Sequence, residues 1–321
     1  MGPRSLTVED HHVIPSYDEL PVHPKLGLPH SWGILDPNLG TLSITQPSDI
    51  AAAAAGVTEG EAIALGLSLG LIDPPLFGRE VLVHSVYSGG DRNNFEDVLN
   101  SYNPQSSSQW DGFRHVRARE FGFYGGVTEL APDDTDTLSI EHFARHGVTG
   151  RGVLLDVAGW FERQGIAYDA MGEELIEVST LEAVARDEGV TLAPGDILCI
   201  RMGWVAAYRA LSPEGRASSE VSARFSGLRA NEDTARYLWD NHVAAVCSDN
   251  VAIESAPGNV ADGSLHRRLI PMLGFVFGEI LDFDALALRC AELGRYTFLF
   301  VAAPLAVPGG LSSPVNAMAI L

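Results

Sequence analysis

The sequence predicts an α/β fold built as a single compact domain, and three observations predict it. Short runs of β-branched and apolar residues recur along the chain, bounded by Gly, Pro, Asp or Asn, as buried strands are. Segments with helical spacing and helix stop signals lie between several of them, the alternation of the α/β class. No internal repeat and no Pro/Gly/Ser linker divides the 321 residues, a length that suits one large domain.

Taken in order, residues 1–30 hold Pro3, Pro15, Pro21, Pro24 and Pro29 and few periodic apolar positions. They predict an extended arm that wraps the body or packs on a partner subunit, with residues 31–321 forming the domain proper. Ala51–Ala55 before Gly56 predicts a short helix and its stop. Val81–Tyr87 is the first predicted buried strand. Leu138–His146 predicts a helix stopped by Gly147, and Val153–Val157 a strand. Ser179-Thr-Leu-Glu182 reads as a capping box opening a helix that Gly189 closes. Ile197–Met202 is a strand. Ser212–Arg224, polar and carrying Pro213 and Gly215, reads as a surface loop or lid. Leu228–Asn241 has Ala230, Thr234, Tyr237 and Leu238 at helical spacing. Val243–Cys247 and Thr297–Ala302 are strands, and Phe283–Leu293 is a helix ending at Gly294.

Composition narrows the function classes. The chain has 42 acidic and 21 basic residues, a formal charge of −21, which repels phosphate backbones and argues against nucleic-acid binding. The longest apolar stretch, Ala51–Ile72, is broken by Glu59, Glu61 and several glycines, so no membrane span is expected. Residues 1–25 are polar and do not resemble a signal peptide. Cys199, Cys247 and Cys290 sit in apolar runs without a Cys-x-x-Cys pair, as free buried thiols of a reducing compartment do. A soluble cytoplasmic protein is expected.

The chemistry-bearing run is Gln105-Ser-Ser-Ser-Gln109-Trp-Asp111-Gly-Phe-Arg-His115. Asp111 and His115, four apart, have the residue types of general acid/base or Lewis-acid chemistry. Arg114, Arg117 and Arg119 make the neighbourhood positive, which favours a neutral His115 and attracts an anion. The bland alternatives are a surface histidine in a basic loop and an Asx-turn cap at Asp111. Trp110, Phe113, Phe121, Phe123 and Tyr124 are core aromatics or a pocket wall. Asp249 and Glu254 follow the strand Val243–Cys247, where loops often carry function, with ion-pair and capping roles equally open.

The run resembles the central motif of the cyclase family that includes kynurenine formamidase and isatin hydrolase, His-x-Gly-Thr-His-x-Asp-x-Pro-x-His. Asp111 and His115 match its aspartate and last histidine. Gln105 and Gln109 stand at the first two histidines, Ser107 and Ser108 at Gly-Thr, and Phe113 at the proline. Further stretches are similar in family order: His30–Leu42, Gly150–Asp156, Pro194–Leu198 with Arg201–Trp204, Ser248–Glu254, His266 with Glu279, and the tail through Ser313-Pro314. The resemblance implies a central mixed, barrel-like sheet surrounded by helices. It implies His115 as a catalytic acid/base beside a metal, Asp111 as a metal-bridging or orienting carboxylate, and His266 and Glu279 as further ligands. Since two imidazoles are replaced by amides, at most one Zn or Mn ion is expected, held by Asp111, His266 and Glu279. No organic cofactor is expected.

Trp110, Phe113, Arg114, Gln109, Trp32, Trp204 and Tyr124 are the expected substrate-binding residues. The expected activity is hydrolysis of a small-molecule amide, cyclic amide or lactone. A metal-independent cyclase, dehydratase or isomerase and a non-catalytic small-molecule-binding relative are the alternatives. A homo-oligomer, dimer or tetramer, is expected from the family, with the arm at the interface.

Overall fold

The structure, a computed structural model, describes residues 14–90 and 93–321. Its strands are β1 (Ala62–Ala64), β2 (Val83–Ser88), β3 (Phe95–Asn100), β4 (Gln109–Asp111), β5 (Val148–Asp156), β6 (Leu175–Ile176), β7 (Ile197–Arg201), β8 (Gly227–Leu228), β9 (Ala245–Ser248), β10 (Val276–Glu279), β11 (Thr297–Ala302), β12 (Ser312–Pro314) and β13 (Ala317–Ile320). Among the described residues, nine of them form one curled, half-barrel sheet in the order β1-β13-β11-β5-β7-β9-β10-β4-β12. The centre, β5-β7-β9-β10, is parallel and both flanks are antiparallel, so the sheet is mixed as expected. The parallel strands are near-continuous apolar runs because both of their faces are covered.

The helices Val178–Asp187, Glu232–Asp240 and Asp284–Leu293 each bury an apolar stripe and expose charge opposite it. Pro47–Ala55 forms the alanine helix, with Pro47 in its first turn and Gly56 at its end. The three cysteines are free and buried. Among the described residues, no helix is long and apolar enough to cross a membrane.

Several expectations are corrected. Val81–Tyr87 is not a buried strand: β2 pairs only with β3, and both are exposed along their length. Their β-branched residues fit a pleated hairpin without a core face. Ser179 does not cap its helix, which starts earlier at Val178 with Glu177 as N-cap. The cause is the short parallel pair β6–β8, which fixes Ile176 and forces the turn immediately after it. Ser212–Arg224 is two helical turns, Pro213–Arg216 and Glu220–Ala223, rather than a loop. The Gly215 N–H donates to Ser212 Oγ at 3.1 Å, and Val221 is buried.

Of the proline-rich arm, residues 1–13 lie outside the described residues. The rest lies on the chain's own body: Tyr17 and Leu20 are buried, Trp239 Nε1 donates to the Pro15 carbonyl (2.8 Å), and the Tyr17 N–H donates to Asp240 Oδ1 (2.7 Å).

Below β5, Glu188 is buried and accepts from the Asp156 N–H and from Arg163. Burial, aided by the nearby Asp156 charge, pushes its carboxyl from 4.5 up to about 8. The folded state then binds this proton more tightly than the unfolded chain. Between those two values, rising pH deprotonates the unfolded chain first, so stability falls across the window. Glu188→Gln removes this contribution. The melting temperature of the variant, measured against wild type, is expected to gain steadily from pH 5 to pH 8. A difference that stays flat with pH would contradict it.

Candidate active site

Strand alternation places the first two side chains. β4 and β10 are antiparallel neighbours with Gln109 opposite Glu279, Trp110 opposite Gly278 and Asp111 opposite Phe277. Gln109, Asp111 and Glu279 therefore share one face, and Trp110 turns to the other. Gly278 is what lets the indole lie across the strand, since a Cβ there would meet Trp110 at 3.0 Å and Cys247 Sγ at 2.9 Å. Gly112 likewise permits close backbone approach, because its Cβ would sit 2.8 Å from the Leu311 carbonyl oxygen.

His266 comes from the turn of helix Leu265–Arg268, capped by Ser264. Glu254 ties the turn down by accepting from Ser264 Oγ (3.0 Å) and the Leu265 N–H. It also lies 2.9 Å from His266 Nδ1, leaving Nε2 aimed at Glu279 Oε1, 3.1 Å away. One ligand atom each from Asp111, His266 and Glu279 falls within a 4.8 Å cluster. A carboxylate on the far nitrogen of an imidazole is the usual outer support of a metal ligand.

Asp111 and Glu279 are both buried. Burial, reinforced by the Glu279 charge, raises the Asp111 carboxyl above the ordinary range, while His115, His266 and Gln105 pull it back. Burial disfavours a charged His266, but Glu279 and Glu254 outweigh it and hold the imidazole protonated well above its usual range. Two buried carboxylates thus face each other with cationic partners between them, the electrostatics of a cation site.

His115 Nε2 lies 3.6 Å from Asp111 Oδ2, and its side chain keeps 30 % exposure against 1 % for Asp111. The amides that replace histidines act as donors. Gln105 Nε2 bonds Asp111 Oδ1 (3.2 Å) and the His115 ring (3.0 Å), and Gln109 Nε2 donates to Glu279 Oε2 (2.9 Å). Arg79, which no sequence signal marked, closes the group. Its Nη1 donates to the Gln105 carbonyl (2.7 Å), and its guanidinium feels both Asp111 and Glu279. It arrives from a turn at Leu76–Gly78, far in sequence from the motif, so only the fold reveals it.

Most of the expected substrate wall belongs to the core. Trp110 is buried, donates to the Val315 carbonyl (2.8 Å) and packs edge-on against Phe300. Phe113 is buried between Tyr124 and Phe143, and Tyr124 itself is buried beside Ser31. Trp204 is buried and stacks on Tyr208 in a second apolar cluster. Trp32 donates to the Pro271 carbonyl and packs with His23 and His30. Arg114 donates to the Thr137, Asp134 and Gly309 carbonyls and to the Asp134 carboxylate. Arg117 likewise donates to the Thr128 carbonyl. For Trp110 the physical reason is strand alternation, since Gln109 and Asp111 on either side of it take the site face of β4. Asp249 accepts from the Met202 and Gly203 N–H groups at the start of helix Trp204–Ala210, and so resolves as a cap.

Comparison with known proteins accords with this architecture. The family model described as Putative cyclase matches residues 37–255. A solved structure described as a novel cyclase is 28% identical, with a TM-score of 0.79 over 91% of this chain and 99% of its own. An isatin hydrolase bound to the product analogue thioisatinate shares the fold at 14% identity (TM-score 0.58, 87% of this chain, 99% of the other). Isatin hydrolase A from Ralstonia solanacearum does so at 17% identity (TM-score 0.58, 86% and 98%). A search of curated proteins gave no match. With its mixed half-barrel sheet and a family match over most of its length, the chain belongs to the cyclase family.

Proposed function

We propose that the protein is a hydrolase of a small-molecule amide, cyclic amide or lactone that uses one divalent metal ion, zinc or manganese. The observation that carries this reading is the convergence of Asp111, His266 and Glu279 beside a partly open His115. The residues fit such an ion: two carboxylates and an imidazole are three donors of the types zinc and manganese take, three protein ligands leave a position open for water, and Asp111 Oδ2 is buried without a hydrogen-bond partner. A bound divalent cation supplies Lewis acidity toward water and the carbonyl. Glu254 orients the His266 ring, and the Gln109 amide fixes the Glu279 carboxylate. Gln105 links Asp111 to His115, which is placed to take a proton from water and return it to the leaving group. Arg79 faces developing negative charge with its remaining N–H donors.

The two glutamines favour a single ion. A neutral amide is a poor ligand for zinc, and here both amides donate to the carboxylates instead. Elemental analysis of chelator-free protein is expected to give at most one equivalent of tightly bound transition metal per chain. Two equivalents would overturn this reading of Gln105 and Gln109. Turnover against a panel of anilides, cyclic amides and lactones tests the hydrolase. Arg79→Ala is expected to lower kcat/KM about 10²-fold on any substrate found, as loss of a donor to an oxyanion does.

The same amide contacts favour a second reading, in which Gln105 holds Asp111 and His115 in place and those two transfer protons without a metal in a cyclisation, dehydration or isomerisation. That reading expects no bound metal and activity that survives chelators.

Self-association is the partner we infer, and the hairpin β2–β3 supports it. Val86, Phe95 and Leu99 are exposed together on one of its faces, an apolar patch of the kind that marks protein–protein contact. Sedimentation at micromolar concentration is expected to show a dimer or larger. A monomer at that concentration would remove the inference. The three free buried thiols fit a reducing compartment such as the cytoplasm.

A further inference from the structure

A second cavity of about 530 Å³ lies behind the helix that carries His266. Its wall includes Lys25, Arg119, Arg267, Arg268, Asn259 and Ser264, and none of Asp111, His266, Glu279, His115 or Arg79 reaches it. Among the described residues, no acidic side chain lines it. That is unusual in a chain with twice as many acidic as basic residues. Elsewhere the arginines are drawn into ion pairs, such as Arg151–Asp196, Arg201–Asp156 and Arg229–Asp262.

The four cations of the cavity are not neutralised in this way. Among the described residues, none of them makes an ion pair. Lys25 lies over the Phe121 ring, and the Arg267 backbone N–H is bonded to Ser264. Arg268 donates Nη2 to the Asp262 carbonyl (3.0 Å), while its Nε is buried without a hydrogen-bond partner. Asp262, the acid nearest Arg267 and Arg268 in sequence, is already committed to Arg229, and Glu120 beside Arg119 is exposed and does not line the cavity. Four like charges around one concavity repel each other. An anion seated among them relieves that repulsion. The overall charge of −21 does not cancel the local field, since screening acts within about 10 Å at 0.1 M salt.

We propose that this cavity binds a small multivalent anion, a molecule bearing a phosphate or several carboxylates, at a site separate from the Asp111–His266–Glu279 centre. Arg267 and Arg268 supply guanidinium donors, Lys25 and Arg119 supply further charge, and the Asn259 side-chain amide supplies a neutral donor. Because Arg267 and Arg268 follow His266 on the same turn, an anion held there also steadies the helix that presents that imidazole.

The test is calorimetric titration of the full-length, metal-loaded protein with inorganic pyrophosphate and, separately, citrate at low salt. Saturable binding of one equivalent is expected, weakening steeply as sodium chloride is raised. Arg267→Ala and Lys25→Ala should each weaken it about tenfold, the scale of one charge-assisted contact. Arg267→Glu should abolish it. Both positions leave Arg268 in place, and unchanged melting temperatures would show that the fold survives. Asp111→Asn should leave the affinity unchanged. Binding lost in Asp111→Asn and kept in Arg267→Glu would place the anion at the metal centre and overturn the proposal. So would the absence of binding of either anion below millimolar concentration. If Arg267→Glu instead alters the sedimentation coefficient and neither anion binds, the cavity seats acidic protein surface, and the proposal also fails.

Discussion

Replacing His115 with Gln is expected to lower turnover by about 10²–10⁴ while leaving the fold intact, because an amide keeps some hydrogen bonding but cannot carry a proton near neutral pH. The position supports this separation of effects. His115 is partly exposed and touches Gln105 and Asp111, so little packing depends on it. Asp111→Asn is expected to be as damaging for a different reason. Asp111 is buried and belongs to the ligand cluster, so the amide weakens metal retention as well as the orientation of His115. Metal content distinguishes the two variants: Asp111→Asn releases the ion and His115→Gln retains it. In a metal-free enzyme both lose activity with no change in metal. Retention of more than about half of wild-type turnover by His115→Gln would remove it from the reaction, since loss of a general acid or base costs far more.

The largest stability effect is expected at Trp110. Trp110→Ala removes a fully buried indole that packs on Phe300 and donates to the Val315 carbonyl, so it creates a cavity and leaves that carbonyl without its donor. Changes of this kind cost about 3–5 kcal/mol. Denaturant titration should show the midpoint falling with little change in slope. If Trp110 were instead a pocket wall, the variant would keep its stability and show a raised KM. A loss under about 1 kcal/mol together with such a KM change would contradict the packing described for β4 and β10.

Much of the fold was legible in sequence because its determinants are local. Thr297–Ala302 is the strand that its apolar run implies, with burial alternating between intermediate and full, and the strand at Ile197 is an apolar run covered on both faces. The helices before Gly147 and Gly294 end where a glycine takes the positive φ of the turn, and the alanine helix also stops at its glycine, Gly56, though in ordinary helical φ. The hairpin at Val83–Ser88 escaped because β-branched residues signal a pleated backbone and not its burial. The true helix start at Val178 escaped because a two-residue strand pair, set by residues some fifty positions away, fixes the chain just before it.

By itself the sequence determined the residue types of the site, Asp111 and His115 four apart with amides at two neighbouring positions, and the α/β class of the fold that carries them. Only the tertiary structure decided which side chains meet. The β4–β10 register sets Gln109 against Glu279 and sends Trp110 to the core, and no residue count along one strand contains that register. The contacts of His266 with Glu254, and of Arg79 with Gln105, cross loops whose closure depends on the whole packed domain. Side-chain chemistry is written locally, whereas the distances that turn it into a site follow from strand order and long-range packing.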